Sequence, residues 1–537
     1  MKTVTQRIVN FLKDGNEFAS ADLADFYQLT TGQLLMDMED WHTVGNMVLR
    51  GDGRETYAIM AGWRYVLPVI ADMVYDDAFI DWAARLVNKD GKRLFGNVYL
   101  DKLRGRPLPI RIDGIPDGAV IFSGPLARVS GPPLATKWVD SIINDTSRRA
   151  IGIATKISRL FWASGGKVAF ADNSMRRSAD ITGLMTGDIA NAMGVLTSNM
   201  AVARANGTTP VGTMDHWYLG LKVMQYFDLH PDAKETSRAD NVKALCHAYR
   251  EFMRCYPEDG TLLLDLAILE IGLEAAILVL KEFHPKRYGV RLDSGDLGKG
   301  SKYIEQRLRA NGLEHLKISL TGGLRAINMQ NIVQSGAQFD VTGIGEYFQP
   351  RGETGRAGSP LEVSISTDIV TKFGFGENPR GLRYSSIKIS DMPEKASRGG
   401  MLDLWVLSDA EAEGREAYVE VDLARSELIL QDGKLTRELE SRRLGNGKNR
   451  TYAVGTTVRQ PMVPLLDNTL ATGERYVGAS LLTDEAMRAR YQAEFARIPA
   501  DLKKIDGNHG LAPVGLEYAH FSENREMAER GALIHRW

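Results

Sequence analysis

The sequence predicts an α/β protein whose middle consists of parallel βα units, and three observations carry that expectation. Between about residues 148 and 350, short apolar runs alternate with stretches long enough for a helix: KVAFA (167–171), TLLLDL (261–266), YGVRLDSGD (288–296), LKISLTGG (316–323) and FDVTGIG (339–345). Each run gives way to Gly, Ser, Asp or Thr. Strand, polar turn and helix in repetition is the pattern of βα units, wound as a barrel or as a doubly wound sheet. The third observation is size: 537 residues, 44% hydrophobic and 25% charged, have the composition of an ordinary globular protein. That length allows about three domains or two large ones.

The flanks read differently. Ile8, Phe11 and Leu12 repeat at helical spacing, whereas PLPIRIDGIPDGAVIFSGPLARVSG (107–131) alternates as short strands punctuated by Gly and Pro. After Pro350 a Gly-rich stretch, GETGRAGSP, predicts a loop or linker, and AYVEVDLARSELIL returns to strands. Thr483-Asp484-Glu485 predicts the N-cap and acidic first turn of a closing helix. The basic, Gly/Asn-rich stretch 434–450 reads as a solvated loop rather than a phosphate grip.

Charge and cysteine usage narrow the function. Sixty-six basic against 68 acidic residues leave a net charge of -2, so no global field holds a polyanion such as nucleic acid. Two cysteines, Cys246 and Cys255, make neither a disulfide framework nor a metal knuckle and fit a reducing compartment. The apolar stretch Leu262–Leu280 is interrupted by Asp265, Glu270 and Glu274, which a membrane span would rarely carry. The N-terminus has charges inside its apolar stretch and lacks a signal-peptide core. We expect a cytosolic chain without a membrane partner.

In βα architectures ligands bind at the C-terminal ends of the strands, and the informative residues fall there. Asp293 and Asp296, after the strand Tyr288–Leu292, suit the two hydroxyls of a ribose or a Mg²⁺ carried by a sugar phosphate; helix capping by Asp293 and Ser294 is the plainer alternative. Gly322 and Gly323, and Gly343 and Gly345, sit in turns that let phosphate oxygens approach backbone amides. His216 follows a strand-like TPVGT and would face the same mouth, and Arg176 could fork onto a phosphate or carboxylate. Together these residues suit an anionic sugar phosphate and a second ligand.

With these strings in hand, the chain resembles the nicotinate phosphoribosyltransferase family, the type II phosphoribosyltransferases that include nicotinamide-using enzymes. GVRLDSGDL (289–297) is close to that family's most specific string. Around it, in the family's order, stand ADFYQLTTG (24–32), SMRRSAD (174–180), LTSNMAVARANGTTPVGTMDH (196–216), GTLLLDL (260–266), LTGGL and GIG. Ser386-Ile387-Lys388-Ile389-Ser390 and RQPMVPLLDN (459–468) resemble its C-terminal landmarks. The resemblance implies an irregular βα barrel, here 148–350, joined to a second α+β domain from both chain ends, 1–147 and 351–537. It implies a pentosyltransferase that moves phosphoribose from PRPP to a pyridine nitrogen with Mg²⁺, in NAD salvage, and a homodimer.

Position by position, the resemblance makes Tyr27 the tyrosine that enters the partner's site. Arg176 would hold the pyridine substituent or phosphates, Asp293 and Asp296 the ribose hydroxyls, Arg291 the pyrophosphate, and Gly322, Gly323, Gly343 and Gly345 the 5′-phosphate. His216 would be the histidine phosphorylated from ATP, with Asp265 as its carboxylate partner. Mg²⁺ would arrive with PRPP or pyrophosphate, with no side-chain ligand set assured. Amide-using relatives tend to carry an acid in the turn occupied here by Thr197-Ser198-Asn199; Ser198 tolerates a carboxylate, which favours nicotinate.

The chain departs from the family's pattern at the base pocket and around the histidine. Asn173 stands where an aromatic sandwiches the pyridine, with Trp217 or Tyr218 as candidate substitutes. Leu266-Ala267-Ile268 replaces a polar run after Asp265, Asp215 precedes His216, and Glu346 follows Gly345. No apolar strand of the family's kind is evident near Asn46–Arg50. Two other readings stay open: the same transfer onto nicotinamide or another aromatic nitrogen base, and a degenerate barrel that binds PRPP or a nucleotide without turnover.

Overall fold

A computed structural model describes residues 3–14, 24–50, 57–121, 124–166, 168–175, 181–258, 260–286, 289–348, 368–386, 399–408, 416–423, 429–443, 449–469, 479–497, 516–519 and 534–536. The chain forms two compact units, one over Lys156–Gln349 and the other from Lys2–Thr155 with Pro350–Trp537. The division falls inside the helix Asp140–Ala163, as does the edge at 147/148 expected from the change in composition.

Six short strands form the sheet of the first unit: β1 (Ala169–Asp172), β2 (Leu196–Thr197), β3 (Leu262–Leu263), β4 (Val290–Leu292), β5 (Ile318–Leu320) and β6 (Val341–Ile344). All ladders are parallel and the order is β2-β1-β6-β5-β4-β3. That order is the cyclic one of a βα barrel opened between β2 and β3, and no ladder among the described residues joins those two strands. The helices are α1 (Ile181–Ala192), α2 (Met200–Asn206), α3 (His216–Leu229), α4 (Arg238–Cys255), α5 (Leu269–Phe283), α6 (Leu297–Arg309) and α7 (Ala326–Gln334). The sequence expectation of parallel βα units is met.

Local chemistry explains where these helices start. Asn199 caps α2 by accepting from the Ala201 and Val202 amides, and Gly207 closes it in the left-handed region at φ 67°. Asp215 caps α3 by accepting from Tyr218, Ser237 caps α4, and Asp296 caps α6 by accepting from Lys299. TPVGT therefore does not form the expected strand. Residues 208–215 are a loop, tied to β2 by the Val211 amide donating to the Thr197 carbonyl at 2.9 Å. Thr and Val favour strands only where a ladder partner waits.

The second unit is built on a seven-stranded antiparallel sheet. Its order is Val463–Asp467, Arg111–Gly114, Gly124–Gly131, His42–Arg50, Asp368–Glu377, Arg383–Ser386, Ile534–Arg536. His42–Arg50 pairs with Asp368–Glu377, so the unit closes only when both chain ends are present. That nine-residue strand forms where no apolar pattern was evident. Its Asn46 is buried because its side-chain amide bonds the Gly400 carbonyl at 2.9 Å and the Leu402 amide at 3.0 Å.

A six-stranded sheet holds Leu402–Ser408 and Glu416–Asp422. The basic stretch expected as a solvated loop contributes strands Lys434–Leu435, Leu439–Arg443 and Asn449–Tyr452 instead. The core of this unit gathers Trp63, Val66, Leu67, Ile70, Ile112, Val129, Ile143 and Leu465. Thr483 caps the helix Asp484–Arg497 as expected, whereas the linker after Pro350 lies outside the described residues. Among the described residues no helix is long and apolar enough to cross a membrane.

Candidate active site

The C-terminal ends of β3, β4 and β5 bring the central residues together. In β4, Val290 and Leu292 are buried and Arg291 is half-buried, so a period of two puts Arg291 and the following Asp293 on the opposite face. β3 runs out through Leu264 to Asp265, and α3 begins at His216. The His216 Nε2 lies 3.2 Å from Asp265 Oδ1. One ligand atom each of His216, Asp265 and Asp293 lies within 4.8 Å of the others, the single such group among the described residues.

Short hydroxyl side chains lock the group. Ser294 Oγ donates to the second oxygen of Asp265, Thr321 Oγ1 donates to Asp293, and the Arg291 guanidinium donates to Thr213. Ser294 thus supplies part of what the apolar Leu266-Ala267-Ile268 run cannot. Because a carboxylate accepts, His216 donates through Nε2, which leaves Nδ1 of the neutral ring with a free lone pair. The side chain of His216 is 43% exposed and that of Asp265 only 7%. The imidazole is open to a ligand while its partner is fixed.

The turn after β5 is equally constrained. The Thr321 amide donates to the Leu292 carbonyl at 2.9 Å. Gly322 sits at φ 95°, and a Cβ there would overlap the Asp293 carbonyl oxygen; Gly323, at φ 60°, faces open space. Only glycine fits the first position, and the pair can present backbone amides to an anion beside α7. Gly343 is not in a turn as expected: it lies within β6, paired with Ala171, and the Asn173 amide packs where its side chain would be. Gly345 does follow the strand, and Glu346 opens a short 3₁₀ turn, Glu346–Phe348, with its side chain exposed.

At the ends of β1 and β2, Asp172 is buried, with no cation beside it among the described residues. Burial pushes its carboxyl above the usual range, and hydrogen bonds from Ser174 and Thr197 only partly offset this. Ser198 donates to the Asp172 carbonyl at 3.0 Å, which fixes the turn expected to meet the acceptor base. Asn173 donates its amide to Ile344. Tyr218 does not replace the missing aromatic, since its hydroxyl donates to Ala248 on α4, and Trp217 is 78% exposed.

Of the other expected site residues, one serves as a helix cap. Asp296 is the N-cap of α6 and pairs with Lys299 at 3.2 Å; the Lys299 amide and ammonium hold its carboxyl below the usual range. Arg176 lies outside the described residues. Tyr27 belongs to the second unit, in the helix Phe26–Leu34, where its hydroxyl donates to Asp140 at 3.1 Å and Lys137 lies over its ring. Burial, then Asp140, pushes its pKa up to about 12. The sequence reading missed Thr213, Thr321 and Asp172 as site residues. Thr321 was the findable one, since it follows a strand in register with Leu292.

No family model matches the chain. Individual proteins do. The nicotinate phosphoribosyltransferase of Mus musculus is 24% identical over 386 residues, covering 64% of this chain and 68% of that protein. That of Bacillus subtilis is 25% identical over 290 residues, covering 53% and 52%. The matches span from about half to two thirds of these relatives' own length. Among solved structures, human nicotinic acid phosphoribosyltransferase superposes with a TM-score of 0.67 at 17% identity, covering 94% of this chain and 99% of that one. A nicotinate-nucleotide pyrophosphorylase from Pyrococcus furiosus gives 0.56 at 16% identity, covering 89% and 95%. The chain is similar in sequence to nicotinate phosphoribosyltransferases and has their fold, as its motifs led us to expect.

Proposed function

We propose that this chain transfers phosphoribose from PRPP to nicotinate, giving nicotinate mononucleotide and pyrophosphate in NAD salvage. The observation that carries the reading is the His216–Asp265–Asp293 group beside the Gly322 turn, a mouth suited to a sugar phosphate, in a chain whose relatives bear that enzymatic name.

In the reaction the bond from ribose C1 to the pyrophosphate oxygen breaks with its electron pair, and the pyridine nitrogen lone pair forms the new bond to C1. The ribose between them is oxocarbenium-like, so catalysis is positioning and charge placement rather than proton transfer. Asp293 meets the ribose hydroxyls, the amides of the Gly322–Gly323 turn and Gly345 meet the 5′-phosphate, and Arg291 faces the pyrophosphate. Arg176 takes the pyridine carboxylate, and Ser198 leaves that carboxylate unopposed by a negative charge. Gly343, inside β6, gives room to Asn173 rather than an amide to phosphate.

The carboxylates of Asp265 and Asp293 fit Mg²⁺, which favours oxygen donors, and a bound Mg²⁺ would stabilise the departing pyrophosphate. His216, with Nδ1 free, accepts a phosphoryl group from ATP, releasing ADP, and Asp265 orients the ring. We further propose a cytosolic homodimer in which Tyr27 completes the partner's site. The same transfer onto a more polar aromatic nitrogen base is the second reading, favoured by Asn173 at the place of a stacking ring.

A product assay with PRPP, Mg²⁺, ATP and equimolar nicotinate and nicotinamide, read by mass spectrometry, tests this. The expected result is a nicotinate mononucleotide peak that falls about 10²–10³-fold in Asp293→Ala. An amide product alone would overturn the role of Ser198. PRPP binding without product from either base would sink the substrate assignment and send attention to Asn173.

A further inference from the structure

At the far end of α3 from His216, a second cluster of chemistry-bearing side chains lines a cavity of about 370 Å³: Tyr226, His230, Lys243, His247, Arg250 and Arg254. None of the six is acidic. Four of them, Lys243, His247, Arg250 and Arg254, recur at spacings of four, three and four along α4, which is one helical stripe. Like charges at that spacing repel on a helix, so the stripe lacks a purpose in holding α4 alone. Its carboxylate neighbours have partners of their own, although Glu251 also faces His247 and Arg254. Glu282 accepts from Arg250 Nε at 2.8 Å, which leaves the terminal guanidinium nitrogens, and Glu251 is taken by Lys222 at 2.5 Å. Asp240 meets Lys243 at 3.1 Å.

The two imidazoles complete the cavity. His230 lies stacked on Tyr226 with ring centroids 4.2 Å apart, and its Nδ1 is 2.8 Å from the Tyr226 carbonyl. A carbonyl accepts, so Nδ1 carries the proton and Nε2 remains for another partner. The Nε2 of His247 is shielded from solvent and has no hydrogen-bond partner. His247 also lines the cavity, and a lysine, two arginines and two imidazoles around one cavity are the donor set of an oxyanion site.

We propose that the α3–α4 cavity binds a phosphate-bearing small molecule, held by Lys243, Arg250, Arg254 and the two histidines. The cavity's volume admits a diphosphate, and the forked guanidinium groups suit its oxygens. The site is separate from the mouth, because α3 places its two ends about 20 Å apart.

Residue-level protection in the full chain tests the proposal independently of activity. Lys243 is labelled with acetic anhydride and Arg254 with phenylglyoxal, with and without inorganic pyrophosphate in chelator, and modification is read by peptide mass spectrometry. Lys281 and Arg238 serve as references. Pyrophosphate should slow labelling of Lys243 and Arg254 by about fivefold or more and leave the references unchanged. Arg254→Ala should abolish the protection of Lys243, and Lys243→Ala that of Arg254, whereas Asp293→Ala should leave both protected. Parallel arms with inorganic phosphate and ATP rank the ligand class. Labelling unaffected by all three anions overturns the proposal. So does equal protection by sulfate at the same ionic strength, or protection that disappears in Asp293→Ala.

Discussion

Two limbs of the first unit converge on the candidate mouth, and they are held by different physics. On one limb, β4 and β5 are in parallel register, Leu292 opposite Leu320, and the Thr321 amide bonds the Leu292 carbonyl. Asp293 is then fixed by Thr321, and the Gly322 backbone touches its carbonyl. On the other limb, His216 rides the first turn of α3 behind the loop 208–215, placed by the Asp215 cap and by Tyr218 leaning on α4. Strand register gives a carboxylate with no freedom, whereas a capped helix end gives an accessible imidazole. That division fits the chemistry proposed for each, since charge stabilisation needs preorganisation and a group that receives a phosphoryl must be reachable.

The largest effect should come from exchanging the two limbs' key residues one at a time. Asp293→Ala is expected to lower transfer about 10²–10³-fold, while His216→Ala should remove the response to ATP and lower ATP-independent transfer by only about tenfold, about 1.4 kcal/mol in barrier. Equal losses of both would break the distinction between a fixed and an adjustable limb. Steady-state rates with and without ATP decide it.

The glycine turn sharpens the comparison next. Gly322→Ala must move backbone, and should cost about 3 kcal/mol or more in urea denaturation; Gly323→Ala, facing open space, should cost only about 1–2 kcal/mol for its left-handed backbone. A cost for Gly323→Ala as large as for Gly322→Ala would show that conformation rather than the Asp293 contact governs the turn. On the helical limb, Asp215→Ala removes one cap and is expected to cost about 1 kcal/mol, with Asp215→Asn close to neutral.

The smallest effect is a pH dependence at Asp172. Burial raises its carboxyl, so the folded chain keeps this proton at pH values where the unfolded chain has released it. The stability linked to the proton is complete below the ordinary carboxylate value of about 4 and is lost as pH rises through the raised one. Asp172→Asn does not titrate there. Relative to the native chain its melting temperature should therefore improve from about pH 4 toward neutrality, and a gap that stays constant with pH would remove burial as the cause.

How much of this was legible depended on whether a feature is local. The apolar runs of β1, β3, β4, β5 and β6 read directly from the chain, because a strand buried on both faces is a short continuous run. The association of His216, Asp265 and Asp293 came from the family resemblance, and the geometry brings those three together. Asp296 was legible as a polar residue at a strand end but not as a cap, since both uses want an aspartate there. Ser294 and Thr213 owe their importance to partners tens of residues away, and a hydroxyl's partner cannot be read from sequence. The strand His42–Arg50 was hidden for the converse reason: its buried Asn46 looks polar until Gly400 and Leu402 are beside it.

β4 has only three residues, buried, half-buried, buried, and this sets where the chain can change length. Deleting one residue inside it would exchange the two faces, sending the guanidinium of Arg291 into the core and withdrawing Asp293 from the mouth. Length variation is thus better tolerated in segments such as 208–215, which no ladder counts, than inside β4, provided Thr213 keeps its place beside Arg291. The mouth can gain or lose reach through its loops, but the spacing from Arg291 to Asp293 is inherited whole or lost.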